Sequence, residues 1–150
     1  MSVVYDSHVL LDCPAKDTEE ALTLIAEKAV ELGMADDADA LREALAAREA
    51  AGTTGMMGGF AIPHAKADAV KQSGVIVVKF AGDVAWDSQD GQPITCAIAL
   101  LNPASEVSAH LAMLSKVAAL LMDEGFRSKI QASSDPAQIA AAVNEGLDAE

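Results

Sequence analysis

Apolar and polar positions alternate with two different periods along the chain, and the change of period divides it into helical and extended parts. Ala21, Leu22, Leu24, Ile25, Ala29, Val30 and Leu32 recur at helical spacing, behind an N-cap pair formed by Asp17 and Glu20 and ahead of a stop at Gly33. A second helix runs from about Asp37 to Ala51, with Leu41, Ala44, Leu45 and Arg48 on neighbouring turns, and stops at Gly52. The pattern then becomes extended. Phe60-Ala61-Ile62 is a short strand that Pro63 must end or place at a sheet edge, because proline cannot donate to the ladder, and His64 follows just past that strand end. Val75 to Phe80 is a β-branched run, and VAW, SQDGQ and ITCAIALL read as strand, Asp-Gly turn, strand.

These strands are nearly all apolar, as in a sheet covered on both faces. From Ser105 the period is helical again, with Val107, His110, Leu111, Leu114, Val117, Ala118 and Leu121 on one stripe. A short helix around Phe126–Ile130 follows, and Ser134-Asp135-Pro136 announces a last one. With a β-like start before the first helix, the expected fold class is α/β: a three-layer α/β sandwich with a small mixed β-sheet flanked by helices on both faces. No repeat, low-complexity tract or linker divides residues 1–150, so a single domain is expected.

Composition sharpens this picture. The chain is 51% hydrophobic, which excludes intrinsic disorder, and 31 of its 150 residues are Ala with only 3% aromatic, so the core is made of small aliphatics. The net charge of −13 repels a phosphate backbone, so nucleic acid is not an expected partner. The start MSVVYDSHVLLD has acids where a signal peptide needs bases, and no apolar run approaches a membrane span. Cys13 and Cys96 match no metal or CxxC spacing, and a reduced cytoplasmic location is the expectation.

The charge is uneven, with 5 bases against 3 acids in residues 42–79, between flanks carrying 2 against 10 and 3 against 10. That basic middle marks a place where an anion could sit. It contains GTTGMMGGFAIPHAK, the least ordinary stretch of the chain. Glycine-loop N–H groups, the hydroxyls of Thr53 and Thr54 and the cation Lys66 are what phosphoryl oxygens need, and His64 beside them is a competent nucleophile near neutral pH. His110 has two readings of equal weight: a core histidine on its apolar stripe, or a residue in an early helical turn facing an anion. His8 has no partner pattern and reads as surface. A metal site built from His64, His110 and an acid would lack compact ligand spacing.

The segment AREAAGTTGMMGGFAIPHAK, then DGQPI, then SAHLAMLSKVAALLMDEGFRSKI, resembles the enzyme IIA domain of the bacterial phosphotransferase system, fructose/mannitol (type 2) class, from about Leu10 to Gly146. Its most specific parts are the G-x-A-I-P-H motif, Gly59 to His64, and the H-L-x-x-L-S-K run, His110 to Lys116. The resemblance implies a histidine phosphocarrier: His64 phosphorylated through Nε2, His110 its partner across the pocket, Arg48 the phosphate-facing arginine, and no metal or cofactor. It implies an HPr-type donor and, as acceptor, a cysteine on a IIB component of a sugar transporter of the fructose class, with the membrane reached only through that transporter. The nitrogen-type regulatory enzyme IIA, whose phosphorylation state controls protein partners, is the alternative within the same fold. Whether the chain works alone or as a homodimer stays open. One departure stands out: the family often carries a polar or acidic side chain six residues before the reactive histidine, and here that residue is Gly58.

Overall fold

A computed structural model describes residues 4–148; residues 1–3 and 149–150, which the single-domain expectation includes, lie outside the described residues. The elements in chain order are β1 (Val9–Cys13), α1 (Thr18–Glu31), α2 (Ala38–Ala50), β2 (Phe60–Ala61), β3 (His64–Ala67), β4 (Gly74–Val84), β5 (Ile94–Pro103), α3 (Val107–Leu121), α4 (Glu124–Ala132) and α5 (Pro136–Asp148). The helix signals act as expected. The Asp17 carboxylate accepts from Glu20 N–H and caps α1, Asp37 caps α2 through Ala40 N–H, and Asp135 accepts from Ala137 N–H at the start of α5.

The five strands form one mixed sheet. β4 and β5 are antiparallel neighbours at its centre, β1 runs parallel to β4, and β2 and β3 both run parallel to β5 on the other side. The apolar runs follow from cover on both faces. Ile76, Val78 and Phe80 of β4, with Ala97, Ala99 and Leu101 of β5, pack in one core with α1 and α2. Their alternates Val75, Val77, Cys96, Ile98 and Leu100 pack in a second core with α3, α4 and α5. Ala97 and Ala99 meet Ala21, Ala26 and Ala29 on the first side, so the abundant alanines bring helix and sheet backbones close together.

One local expectation is extended and another corrected. His64 lies past the end of β2, which stops at Ala61, but it also opens a separate strand, β3, that the sequence pattern did not announce, paired with Leu100 of β5. Pro63 still contributes to the ladder through its carbonyl, which accepts from Leu100 N–H at 3.0 Å; only its donor is missing, which an edge position tolerates. VAW is not an independent strand. β4 continues through a register shift between Lys79 and Val84, and Trp86 lies in the loop beyond it. The expected turn closes that loop, with Gly91 at φ +75°.

The glycine segment is held by specific contacts. Asp90 of the β4–β5 connection accepts from Gly58 N–H at 3.0 Å, and Gln131 of α4 donates to the Gly58 carbonyl at 2.9 Å. Gly58 has φ +70°, and a Cβ there would lie 2.8 Å from Cδ of Arg127, whose guanidinium donates to Leu121 O at 2.6 Å. Arg127 fills the space a side chain at residue 58 would take. Gly58→Glu is expected to lower stability by about 1–2 kcal/mol through the left-handed backbone alone, read as a fall in denaturant midpoint, with Arg127 displaced.

Candidate phosphotransfer site

α2 packs against β3, and α3 packs against β5. These contacts bring the C-terminal turn of α2, the start of β3 and the second turn of α3 to one cleft. It has a volume of about 410 Å³ and is lined by Arg48, His64, Lys66, His110, Leu111 and Leu114, with Ala44 and Ala65. A larger cleft of about 500 Å³ beside α1 is lined by Asp17, Glu19, Glu20 and Glu27 with no cation, the wrong sign for an anion.

His64 is buried except toward this cleft, at 7% exposed. Its Nδ1 lies 2.8 Å from Ile62 O. A carbonyl only accepts, so Nδ1 carries the proton and Nε2 keeps its lone pair. Arg48 Nε donates to that Nε2 at 2.9 Å, while Arg48 Nη1 donates to Gly52 O at 2.7 Å. The ring nitrogen that keeps its lone pair is thus selected by the backbone two residues upstream, and a guanidinium stands directly against it. Burial pushes the His64 pKa below its ordinary value of 6.5; the Ile62 carbonyl opposes that shift and the Arg48 charge reinforces it. The ring is therefore neutral at pH 7.

The His110 ring faces His64 with centroids 5.3 Å apart and planes tilted by 44°. Its Nδ1 lies 2.8 Å from Asn102 Oδ1 at the end of β5. His110 is buried, at 7% exposed, as the core reading expects, and it also lines the cleft; its partner is a side chain rather than backbone. Burial lowers its pKa, and repulsion from a protonated His64 and from the Lys66 charge adds to the shift. Removing the ring in His110→Ala leaves the buried Asn102 carbonyl oxygen without its partner. The expected loss is about 1–3 kcal/mol of unfolding free energy in a denaturant titration.

Arg48, His64, Lys66 and His110 are brought together; Thr54 is not. Thr54 is buried, its hydroxyl donates to Glu49 Oε1, its N–H donates to Glu49 Oε2 at 3.1 Å, and it does not line the cleft. Thr53 likewise turns away, its hydroxyl donating to Asp87 O at 2.7 Å. The threonines brace the loop. Glu49, which also accepts from Trp86 Nε1 at 3.3 Å, ties the end of α2 to the glycine segment and so fixes the helical turn that carries Arg48. Sequence reasoning missed Glu49 and Asn102. The signal for Asn102 was a lone amide at the end of the apolar run ITCAIALL; for Glu49 it was an acid adjoining the site arginine.

Elsewhere, His8 is half-buried rather than surface. Its ring stands edge-on to Tyr5, and its buried Nδ1 finds no hydrogen-bond partner among the described residues. Cys13 and Cys96 are free, and burial pushes the Cys96 thiol up to about 12. Among the described residues no group of three or more His, Cys, Asp or Glu could hold a metal ion, and no helix is long and apolar enough to cross a membrane.

The lowered histidine pKa values have a thermodynamic consequence. His64 and His110 bind fewer protons folded than unfolded below pH 6.5, so their contribution to stability is complete above 6.5 and is lost as pH falls toward the lowered folded values. Tm is expected to drop on acidification from about pH 7 to about pH 5.5, and the drop should be smaller in His64→Ala.

Comparison with known proteins agrees with the geometry. The family described as phosphoenolpyruvate-dependent sugar phosphotransferase system, EIIA 2, matches residues 2–146. A PTS system fructose-specific EIIA component from Haloferax volcanii is 36% identical over 122 residues, covering 81% of this chain and 79% of that protein. A nitrogen regulatory protein from Bradyrhizobium diazoefficiens is 34% identical over 117 residues, covering 78% and 76%. The crystal structure of nitrogen regulatory protein IIA-Ntr from Neisseria meningitidis superimposes with a TM-score of 0.87 at 27% identity, over 94% of this chain and 96% of that one. A neutral histidine with an arginine on its free nitrogen, set in this mixed sheet and in a chain matched almost end to end, leads to one assignment: the chain belongs to the EIIA 2 family of the phosphoenolpyruvate-dependent sugar phosphotransferase system and is a phosphotransfer component.

Proposed function

We propose that the protein is a histidine phosphocarrier that accepts a phosphoryl group on His64 Nε2 from an HPr-type donor and passes it to a cysteine on a IIB component of a fructose-class sugar transporter. The observation that carries this reading is the bond from Arg48 Nε to the unprotonated Nε2 of His64. As the donor's P–N bond breaks, the Nε2 lone pair forms the new N–P bond. No proton has to move, because Nε2 already lacks one and Nδ1–H stays on Ile62 O. The guanidinium turns from Nε2 to the equatorial oxygens, and Lys66 adds charge at the cleft mouth. Exposed Leu111 on the cleft wall and exposed Val107 one turn earlier supply apolar surface on which a partner protein can seat. The fructose class rests on the Haloferax relative.

A second reading, the nitrogen-type regulator, is favoured by the Bradyrhizobium relative and by the TM-score of 0.87 to IIA-Ntr. Both readings use His64; they part at the onward step. The test is reconstitution with enzyme I, HPr and phosphoenolpyruvate, followed by addition of purified IIB components. Label appearing on a IIB cysteine supports the transport reading. A phosphorylated chain that delivers to no IIB component supports the regulatory one.

A further inference from the structure

Two histidines face each other across the cleft, and their outer nitrogens are held differently. His64 Nδ1 meets a backbone carbonyl, which can only accept. His110 Nδ1 meets the side-chain amide of Asn102, whose Nδ2 in turn donates to Ser73 Oγ at 2.9 Å. Asn102 is 5% exposed, so these two partners satisfy an amide that water scarcely reaches, while Ser73 is exposed and its hydroxyl can rotate.

We propose that Asn102 and Ser73 are positioning residues that let His110 move its single ring proton from Nδ1 to Nε2 when His64 is phosphorylated. The inference rests on the phosphocarrier reading above. In the observed arrangement Asn102 Oδ1 accepts from Nδ1–H, and His110 Nε2 is bare on the cleft side. A half-turn of the amide exchanges its two ends. Asn102 Nδ2 then donates to a bare Nδ1, and Oδ1 accepts the hydroxyl hydrogen of Ser73. The hydroxyl accepts in the first arrangement and donates in the second, so every buried polar atom keeps a partner in both. The proton that leaves Nδ1 is balanced by one taken up at Nε2 from water in the open cleft, so neither the net proton count nor the ring charge changes. Nε2–H then donates to a phosphoryl oxygen on His64.

A neutral donor suits this site. Arg48, Lys66 and His64 already line the cleft around His110, and an imidazolium among them would add positive charge in a buried place. A carboxylate in place of Asn102 could hold only the first arrangement and would favour the imidazolium. The nucleophile thus has a fixed tautomer and its neighbour a convertible one.

The test uses protein with 15N-labelled histidine, phosphorylated with phosphoramidate, and two-bond 1H–15N spectra of the His110 ring before and after. The expected result is Nδ1–H before and Nε2–H after, with no imidazolium at pH 7. Asn102→Asp should keep His110 Nδ1 protonated and raise its titration midpoint, and at pH values above that midpoint, where Nε2 carries no proton, it should shorten the phosphohistidine lifetime about tenfold. Ser73→Ala should impair the exchange and Ser73→Thr, which keeps the hydroxyl, should preserve it. A phosphorylated His64 facing an unchanged His110 tautomer, or a His110 that becomes imidazolium on phosphorylation, overturns this proposal alone. Failure to form phosphohistidine at residue 64 overturns the functional reading and this proposal together.

Discussion

His64→Ala is expected to abolish phosphoryl labelling by phosphorylated HPr while leaving the fold in place, and wild-type label should be lost in acid and retained in base. The expectation rests on the distribution of nitrogen lone pairs. Neutral at pH 7, His64 keeps its proton at Nδ1 through Ile62 O and offers Nε2 to the cleft. Among the other candidate nucleophiles, His110 is set across the cleft with its outer nitrogen bonded to Asn102, His8 lies at the N-terminal turn before β1, and the Cys96 thiol is held protonated by burial. A phosphorus–nitrogen bond hydrolyses in acid, whereas a phosphoserine or phosphothreonine survives it. The fold should persist because the ring borders a cleft and its strand β3 stays paired with β5 through backbone bonds alone. Acid-labile label retained in His64→Ala would move the site to one of the other histidines, His110 or His8, and acid-stable label would move it to a hydroxyl such as Ser73.

The sheet and helices were legible because each obeys a local rule. The continuous apolar runs of β4 and β5 announced cover on both faces, and the Asp17–Glu20 pair and Ser134-Asp135-Pro136 announced helix starts. What was not legible depends on contacts between distant residues. The pairing of β3 with β5 joins His64 to Leu100, and no pattern within AIPHAK distinguishes a strand end from a strand start. The threonines illustrate the limit for the site: beside glycines they match the chemistry of a phosphate cradle, yet Glu49 in the preceding helix engages Thr54 first and Asp87 engages Thr53. Asn102 became meaningful only once α3 was placed over the end of β5, putting His110 within 2.8 Å of it. Gly58 is the reverse case: Arg127, 69 positions away in sequence, fills the space a side chain there would occupy, a contact no local pattern announces.

Arg48→Lys is expected to slow transfer on the order of 10- to 100-fold while moving Tm little, and the geometry says why a conserved charge is not enough. Arg48 uses two nitrogens at once: Nε on His64 Nε2 at 2.9 Å and Nη1 on Gly52 O at 2.7 Å. The second bond fixes the plane of the guanidinium against the loop that leaves α2, and that plane aims the first. A lysine ammonium is a point charge without a plane. It can approach either Gly52 O or the phosphoryl group, but it cannot be oriented by one while serving the other. Removing one preorganised donor from a transferring group costs roughly 10²–10³ in rate, and retaining the positive charge recovers part of that, which sets the expected range below the full loss. Stability should change little because the side chain is only half-buried and the bonds it makes border open cleft. Arg48→Ala should reach the full loss and should also raise the His64 pKa, since the nearby positive charge now holds it down. The pH below which transfer fades would then move upward in Arg48→Ala and stay near the wild-type value in Arg48→Lys. Transfer rates measured against pH for both variants check this; an unchanged Arg48→Lys rate at pH 7 would show that charge alone serves the phosphoryl group.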